Sequence, residues 1–258
     1  MVADSASDNS RPVALVTGVG RSVGIGAAIA ARLASAGWDI AFNYWAAYDD
    51  RMPWGTQAGD TEAITATLTG HGADVTAIED DLEDPEAPAR IFAEATRRLG
   101  PVTALVMCHC ESVDSGLLDT TVESFDRHFA VNARATWLLI REFGRYFDGA
   151  PGTGRIIALT SDHTVWNLPY GASKGALDRI TLAAAREFAH LGVTANVINP
   201  GPVDTGWMSD EIKQSAVAQT PLGRVGTPSD TADLAEFLCS PQGGWINGQH
   251  LMSNGGFA

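Results

Sequence analysis

"PVALVTGVGRSVGIGAAIAARLASAG", residues 12–37, decides the fold. Its first seven residues form a short apolar run of the kind that makes a buried strand. Its second half, from Gly24, carries apolar residues at helical spacing and stops at Gly37. Between them lies a turn rich in glycine. Backbone without side chains can approach an anionic group closely, and the opening of a helix offers unpaired N–H donors and the positive end of a dipole. A glycine cluster alone marks no more than a turn or a close packing contact. Placed after a strand, before a helix and at the head of a repeating pattern, it predicts a seat for a dinucleotide pyrophosphate.

The pattern repeats outward from there. Apolar runs at 39–45, 74–82, 102–110, 154–161, 193–201 and 249–253 read as strands. Helical stretches lie between them: DTEAITATLTGHG, PEAPARIFAEATRRLG, the long segment 122–148, the segment 169–191 and PSDTADLAEFLC at 228–239. About seven strands alternating with helices, with no lasting break in composition, predict α/β architecture: one Rossmann-like, doubly wound parallel sheet with helices on both faces. Handed crossovers then gather the strand-to-helix loops along one edge, where ligands bind. The expected organisation is a polar tail at 1–11 and a single domain at 12–258. The stretch YWAAYDDRMPWGTQAGD, 44–60, is a long connection that either shapes the ligand edge or decorates it.

Bulk properties narrow the function. The 258 residues carry a formal charge of −14, are 45% hydrophobic and 19% charged, as in an ordinary globular protein. That charge argues against nucleic acid and anionic membranes as partners, and no apolar run is long enough to span a bilayer. The opening MVADSASDNSRP has no basic-then-apolar pattern of a secretory signal. Three cysteines, two of them at 108 and 110, form no disulfide framework and suggest a reducing, cytoplasmic setting. On a strand, Cys108 and Cys110 share one face and His109 takes the other; no second ligand cluster accompanies them, so no metal site is expected.

A further group of residues carries chemistry. Of the basic residues only Lys174 and Lys213 are lysines, and Lys174 follows Tyr170 by four positions. On a helix those two share a face. A free tyrosine titrates near pH 10, and an ammonium close by favours the phenolate, lowering that pKa toward useful acid–base range. Arginine carries the same charge as a broad planar fork with a different reach. With four tyrosines and two lysines in the chain, a chance pair at this spacing is a rare event.

Taken in order, TG…GIG, Asn132, Ser161, Tyr170–Lys174 and NPGPVDT (199–205) resemble the short-chain dehydrogenase/reductase superfamily, over about residues 12–256. The C-terminal third, PLGRVGTPSDTADLAEFL…INGQHLMSNGG, is most similar to the 3-oxoacyl-[acyl-carrier-protein] reductases. The resemblance implies a carbonyl-to-alcohol reductase, with fatty acid biosynthesis as its setting. Ser161 would hold the substrate oxygen, and Tyr170 would give the proton. Lys174 would tune the tyrosine and hold ribose, and Asn132 would support proton resupply through a water. A cofactor would run along Gly18, Arg21, Ser22, Gly24 and Ile25 of the glycine loop, Tyr44 after the second strand, Asp81 and Leu82 after the third, then Tyr170, Lys174, Pro200, Gly201, Val203 and Thr205.

The end of the second strand carries Tyr44 and Trp45 where an acidic residue would repel a 2′-phosphate. Arg21 is either a phosphate partner or an ordinary surface cation. NADPH is therefore favoured over NAD, with a small-molecule or acyl-thioester substrate. Trp166 and Trp207 flank the site in sequence, and GWMSDEIKQSAVAQT, 206–220, reads as a substrate lid or a surface helix. The resemblance also implies a homotetramer formed through 122–148 and 169–191.

Two departures from the family pattern stand out. Five residues separate Gly18 from Gly24 where three are usual, a spacing similar to the enoyl reductases. The usual NNAG after the fourth strand is here MCHC, Met107–Cys110. They keep two alternatives open: an enoyl-thioester reductase, although its tyrosine and lysine stand seven apart, and a cofactor-binding regulator without turnover.

Overall fold

The computed structural model describes residues 11–257. The expected tail at 1–11 lies outside the described residues except for Arg11. Its guanidinium bonds the carbonyls of Ala34 (2.7 Å) and Trp38 (2.9 Å) and pairs with Asp39, so it belongs to the folded body.

In chain order the elements are β1 (Val13–Thr17), α1 (Ile25–Ser35), β2 (Asp39–Tyr44), α2 (Ala46–Asp50), α3 (Asp60–Gly70), β3 (Val75–Glu79), α4 (Ala87–Leu99), β4 (Val102–Met107), α5 (Val122–His128), a π-helical turn (Phe129–Arg134), α6 (Ala135–Tyr146), β5 (Arg155–Leu159), α7 (Leu168–Glu187), β6 (Thr194–Asn199), α8 (Asp210–Gln219), α9 (Pro228–Cys239) and β7 (His250–Met252). The seven strands form one parallel sheet in the order β3-β2-β1-β4-β5-β6-β7.

The sheet is covered on both sides, which is why its central strands are apolar throughout rather than alternating. Alternate residues of β1 feed two cores. Val13 and Leu15 join Phe92, Leu105, Leu139 and Phe143 under α4, α6 and α7. Ala14 and Val16 join Ile29, Leu33, Phe42 and Leu238 under α1, α3 and α9. The helices start where their sequences direct. Thr227 and Asp230 make a reciprocal capping box on α9, and Pro88 sits in the first turn of α4, where its missing N–H costs nothing.

Strand order reverses between β1 and β4. A crevice opens there beyond the strands' carboxyl ends, the place where open α/β sheets bind ligands. The loops that follow β1, β4, β5 and β6 meet at it.

Candidate active site

The glycine loop rises from β1 and crosses the end of β4. Gly18 has φ 73°, and a Cβ there would lie 2.5 Å from the His109 nitrogen, so only glycine fits. The loop ends at Gly24, the N-cap of α1, where no side chain caps the helix. The first N–H groups of this eleven-residue helix are thus left for a ligand, with Ser22 and Ile25 on either side.

MCHC resolves differently from its strand reading. β4 stops at Met107, so strand alternation does not govern Cys108, His109 and Cys110. His109 is buried and turns its ring inward. Nδ1 lies 2.7 Å from the Thr17 hydroxyl and Nε2 lies 3.1 Å from the Val131 carbonyl. One imidazole therefore ties β1 to the π-helical turn, supplying cross-links in place of the missing asparagines. Burial first, and the Lys174 charge second, push its pKa down to about 3, so the ring is neutral. Cys110 lies half-buried against Tyr48, with Lys174, Tyr170, Glu111 and Asp49 as its other ionisable neighbours. It lies beside the Tyr170–Lys174 pair.

Tyr170 and Lys174 stand one turn apart on α7, as their spacing requires. The Lys174 ammonium is 2% exposed and sits 5.7 Å from the centroid of the Tyr170 ring. It donates to the carbonyls of Leu159 (2.9 Å) and His109 (3.5 Å), and its third hydrogen remains for a ligand. The Tyr170 pKa is raised, opposite to the lowering expected from this lysine. Burial pushes the Tyr170 pKa up, Cys110 adds to that, and the Ser161 hydroxyl beside it pulls the other way. Burial also lowers the Lys174 pKa, because desolvation disfavours the ammonium, and the thiols of Cys110 and Cys108 act against that lowering. The phenol is consequently held protonated, which is the form a proton donor needs.

Ser161 is the second residue past the end of β5, and its oxygen accepts from the His163 N–H at 3.2 Å. Asn132 is fully buried in the π-helical turn that separates α5 from α6. Its amide donates to the Glu111 carbonyl (2.9 Å) and the Ser173 hydroxyl (2.9 Å), and its oxygen accepts from the Glu111 N–H (2.8 Å). All of its polar hydrogens are engaged, so this side chain pins the site from beneath. Any share in proton resupply must pass through groups it holds in place.

The remaining predicted cofactor residues divide. Tyr44 ends β2 half-buried beside Thr61 and Glu79, at the mouth of the crevice. Asp81 caps a turn by accepting from the Glu83 N–H (2.8 Å), and Leu82 is a core side chain, so only backbone at 82 is open to a ligand. Pro200 and Gly201 turn the chain out of β6, with Gly201 at φ 63° packed on Asn254. Val203 is buried in a bridge to Gly226, and Thr205 is half-buried. Arg21 does not reach toward Tyr44. Its Nη2 donates to the Thr205 carbonyl at 2.8 Å, spanning from the glycine loop to the 200–206 segment.

The long connection after β2 is no mere decoration. Asp49, Arg51 and Trp54 in it touch the glycine loop or the residues after β4, contacts that no local sequence motif announces.

A family profile described as "Enoyl-(Acyl carrier protein) reductase" matches residues 18–258. The chain is 36% identical over 97% of its length to the "Uncharacterized oxidoreductase YjdA" of Bacillus subtilis, covering 98% of that protein. It is 32% identical to the "NADPH-dependent aldehyde reductase-like protein, chloroplastic" of Arabidopsis thaliana, covering 95% of this chain and 93% of the relative. Among solved structures, the short-chain dehydrogenase/reductase of Serratia marcescens superposes with a TM-score of 0.85 at 31% identity, over 96% of this chain and 98% of that one. With its seven-stranded parallel sheet, its glycine loop at the switch point and these relatives along nearly its whole length, the chain belongs to the short-chain dehydrogenase/reductase superfamily of oxidoreductases.

Proposed function

We propose that this oxidoreductase reduces a carbonyl to an alcohol with NADPH, Tyr170 acting as the acid. The observation that carries the reading is the pairing of Tyr170 and Lys174 on one face of α7, buried beside Ser161 at the switch-point crevice. The uncapped start of α1 and the spare Lys174 hydrogen suit a phosphate-bearing ribose cofactor, which supplies a hydride to the carbonyl carbon when bound. Residues 18–25 would hold its diphosphate, Tyr44, Asp81 and the backbone at Leu82 its adenosine, and Lys174, Pro200, Gly201, Val203 and Thr205 its other end.

Ser161 donates a hydrogen bond to the substrate oxygen and fixes it within reach of the phenol. Tyr170 then passes its proton to that oxygen, closing the balance from C=O to CH–OH. Lys174 stabilises the phenolate left behind, because an ammonium this close gains as negative charge develops. Asn132 keeps Ser173 and the chain at 111 in register beneath them.

NADPH is supported by the absence of a carboxylate at the end of β2 and by the name of the Arabidopsis relative. The C-terminal third supports a 3-oxoacyl thioester as substrate, and the same relative supports an aldehyde. An enoyl thioester is the second reading. The five-residue gap in the glycine loop and the wording of the matching family profile favour it. The four-residue Tyr–Lys spacing opposes it. Residues 206–220 would serve as the substrate lid, a reading supported by a largely exposed α8 tethered by an ion pair between Asp204 and Lys213. Val122, Phe125 and Trp137 expose apolar surface on α5 and α6, as a homotetramer built on those helices would use. No described helix is long and apolar enough to cross a membrane.

Consumption of NADPH and NADH, followed by absorbance over aldehydes, a 3-oxoacyl thioester and an enoyl thioester, tests the reading. Reduction of carbonyls by the native protein and its loss in Tyr170→Phe is the expected result. Turnover of the enoyl thioester alone would overturn it.

A further inference from the structure

The segment from Ala46 to Trp54, which contains α2, lies as a strap across the mouth of the crevice and touches it in three places. Asp49 is buried, and one of its oxygens sits 2.5 Å from where a Gly20 Cβ would be, so carboxylate and glycine loop are in direct packing. The other oxygen accepts from the Trp54 indole N–H at 2.8 Å. The Trp54 ring in turn carries the Arg21 guanidinium over its face, 4.8 Å from the centroid. Arg21 is among the charges acting on Asp49, and its far end reaches the Thr205 carbonyl. At the other side of the crevice Arg51 makes a two-pronged pair with Glu111, a carboxylate 2% exposed and next to Cys110, while stacking over the Tyr48 ring at 5.2 Å.

The arrangement is selective about charge. A buried carboxylate beside a phosphate site repels an anion unless a nearby cation offsets it, and Arg21 is a cation whose charge acts on Asp49. Its rotamers are restricted by the Trp54 face, which Asp49 orients, and by the Thr205 carbonyl, so the entropy of ordering a long side chain is lost on folding instead of on binding. Resting on the reading that the crevice takes a dinucleotide, we propose that the strap is a cofactor-positioning element: Asp49 and Trp54 hold the Arg21 guanidinium at the rim of the glycine loop to meet a phosphate group of that dinucleotide, and the Arg51–Glu111 pair anchors the strap to the floor of the site. Asp49 and Trp54 are positioning residues, acting through Arg21. The glycine loop, two residues longer than usual, supplies the arginine and the bare backbone at Gly20 against which the strap packs.

Calorimetric titration of the full chain with NADPH and with NADH tests this, alongside steady-state kinetics and thermal melting. Asp49→Asn, which is nearly isosteric, and Trp54→Leu are expected to weaken NADPH binding about five- to tenfold. Their kcat at saturating NADPH should stay within about twofold of native and their Tm should shift little. Trp54→Phe keeps an aromatic face under the guanidinium and is expected to recover most of the loss seen with leucine. A loss confined to NADPH assigns Arg21 to the 2′-phosphate, and an equal loss with NADH assigns it to the diphosphate; both support the proposal. Unchanged affinity in Asp49→Asn and Trp54→Leu would overturn it. So would tighter NADPH binding by Asp49→Asn, since the carboxylate would then act only as a repulsive charge. Should Asp49→Asn fail to fold, the leucine and phenylalanine variants at 54 decide between them. A native protein that binds NADPH but turns over no carbonyl refutes the proposed reaction and leaves the affinity comparison intact.

Discussion

Substituting His109 with glutamine should change how stability responds to acid far more than it changes stability at neutral pH. The imidazole titrates near 6.5 in an unfolded chain but is pushed down to about 3 in the folded protein. Because the folded-state pKa is the lower one, the unfolded state binds the extra proton across the window between. Stability from keeping the ring neutral is therefore complete above pH 6.5 and drains away as pH falls toward 3. One pH unit in that window is worth about 1.4 kcal/mol, so moving from pH 7.5 to 5.0 removes about 2 kcal/mol through this group alone. Glutamine offers a donor and an acceptor to Thr17 and Val131 but does not titrate. Its expected cost at pH 7.5 is about 1–2 kcal/mol for imperfect bonds, and the gap to native should close by about 2 kcal/mol at pH 5.0. Urea unfolding of both proteins at the two pH values measures this. Carboxylates such as Asp230, held low by Arg224, titrate alike in both proteins and cancel. Parallel pH dependences in native and variant would refute the reasoning.

Other outcomes follow from the same geometry. Tyr170→Phe removes the proposed acid, and kcat should fall by at least about 10²-fold while calorimetric NADPH affinity changes little. Lys174→Met loses the ammonium that bonds Leu159 and stands over the Tyr170 ring. It should lower kcat and weaken cofactor binding together, and Lys174→Arg should not restore either, because the planar fork does not fit the same carbonyls. Gly18→Ala forces a Cβ within 2.5 Å of the His109 backbone at a φ of 73°; binding of NADPH should be lost and the melting temperature should fall. Arg51→Met strands the Glu111 carboxylate, 2% exposed, without its partner, and denaturant titration should show a loss of about 3 kcal/mol.

The fold was legible because it is written in periodicity: apolar runs of strand length separated by helical stretches leave few arrangements other than a doubly wound sheet. The tyrosine–lysine pair was equally open to reading, since a four-residue spacing has one meaning on a helix. What lay hidden was set by contacts between distant segments. MCHC read as a strand pattern, yet β4 ends at Met107, and His109 found its partners at Thr17 and Val131, on elements far away in sequence. The direction of the Tyr170 shift is not legible in a four-residue spacing, because burial, a property of the assembled fold, is its largest cause. Arg21 was recognised as a candidate for the cofactor, but its hold on Thr205 joins residues 184 positions apart. The strap carries its meaning in side chains that meet the site only after folding. No repeat, spacing or motif marks Asp49 against Gly20.

The central pairing of the sheet has a consequence for how the chain matures. β1 lies between β2 and β4, and Val13 aligns with Val102, so the strand bearing the glycine loop keeps a bare edge until translation has passed Met107. Closing that long a loop comes late, and parallel pairing at such separation slows folding. The newly made segment ahead of β4 is then an apolar, half-finished sheet. In a cell it would be a natural client for chaperones during synthesis, and fragments ending before β4 should aggregate instead of folding.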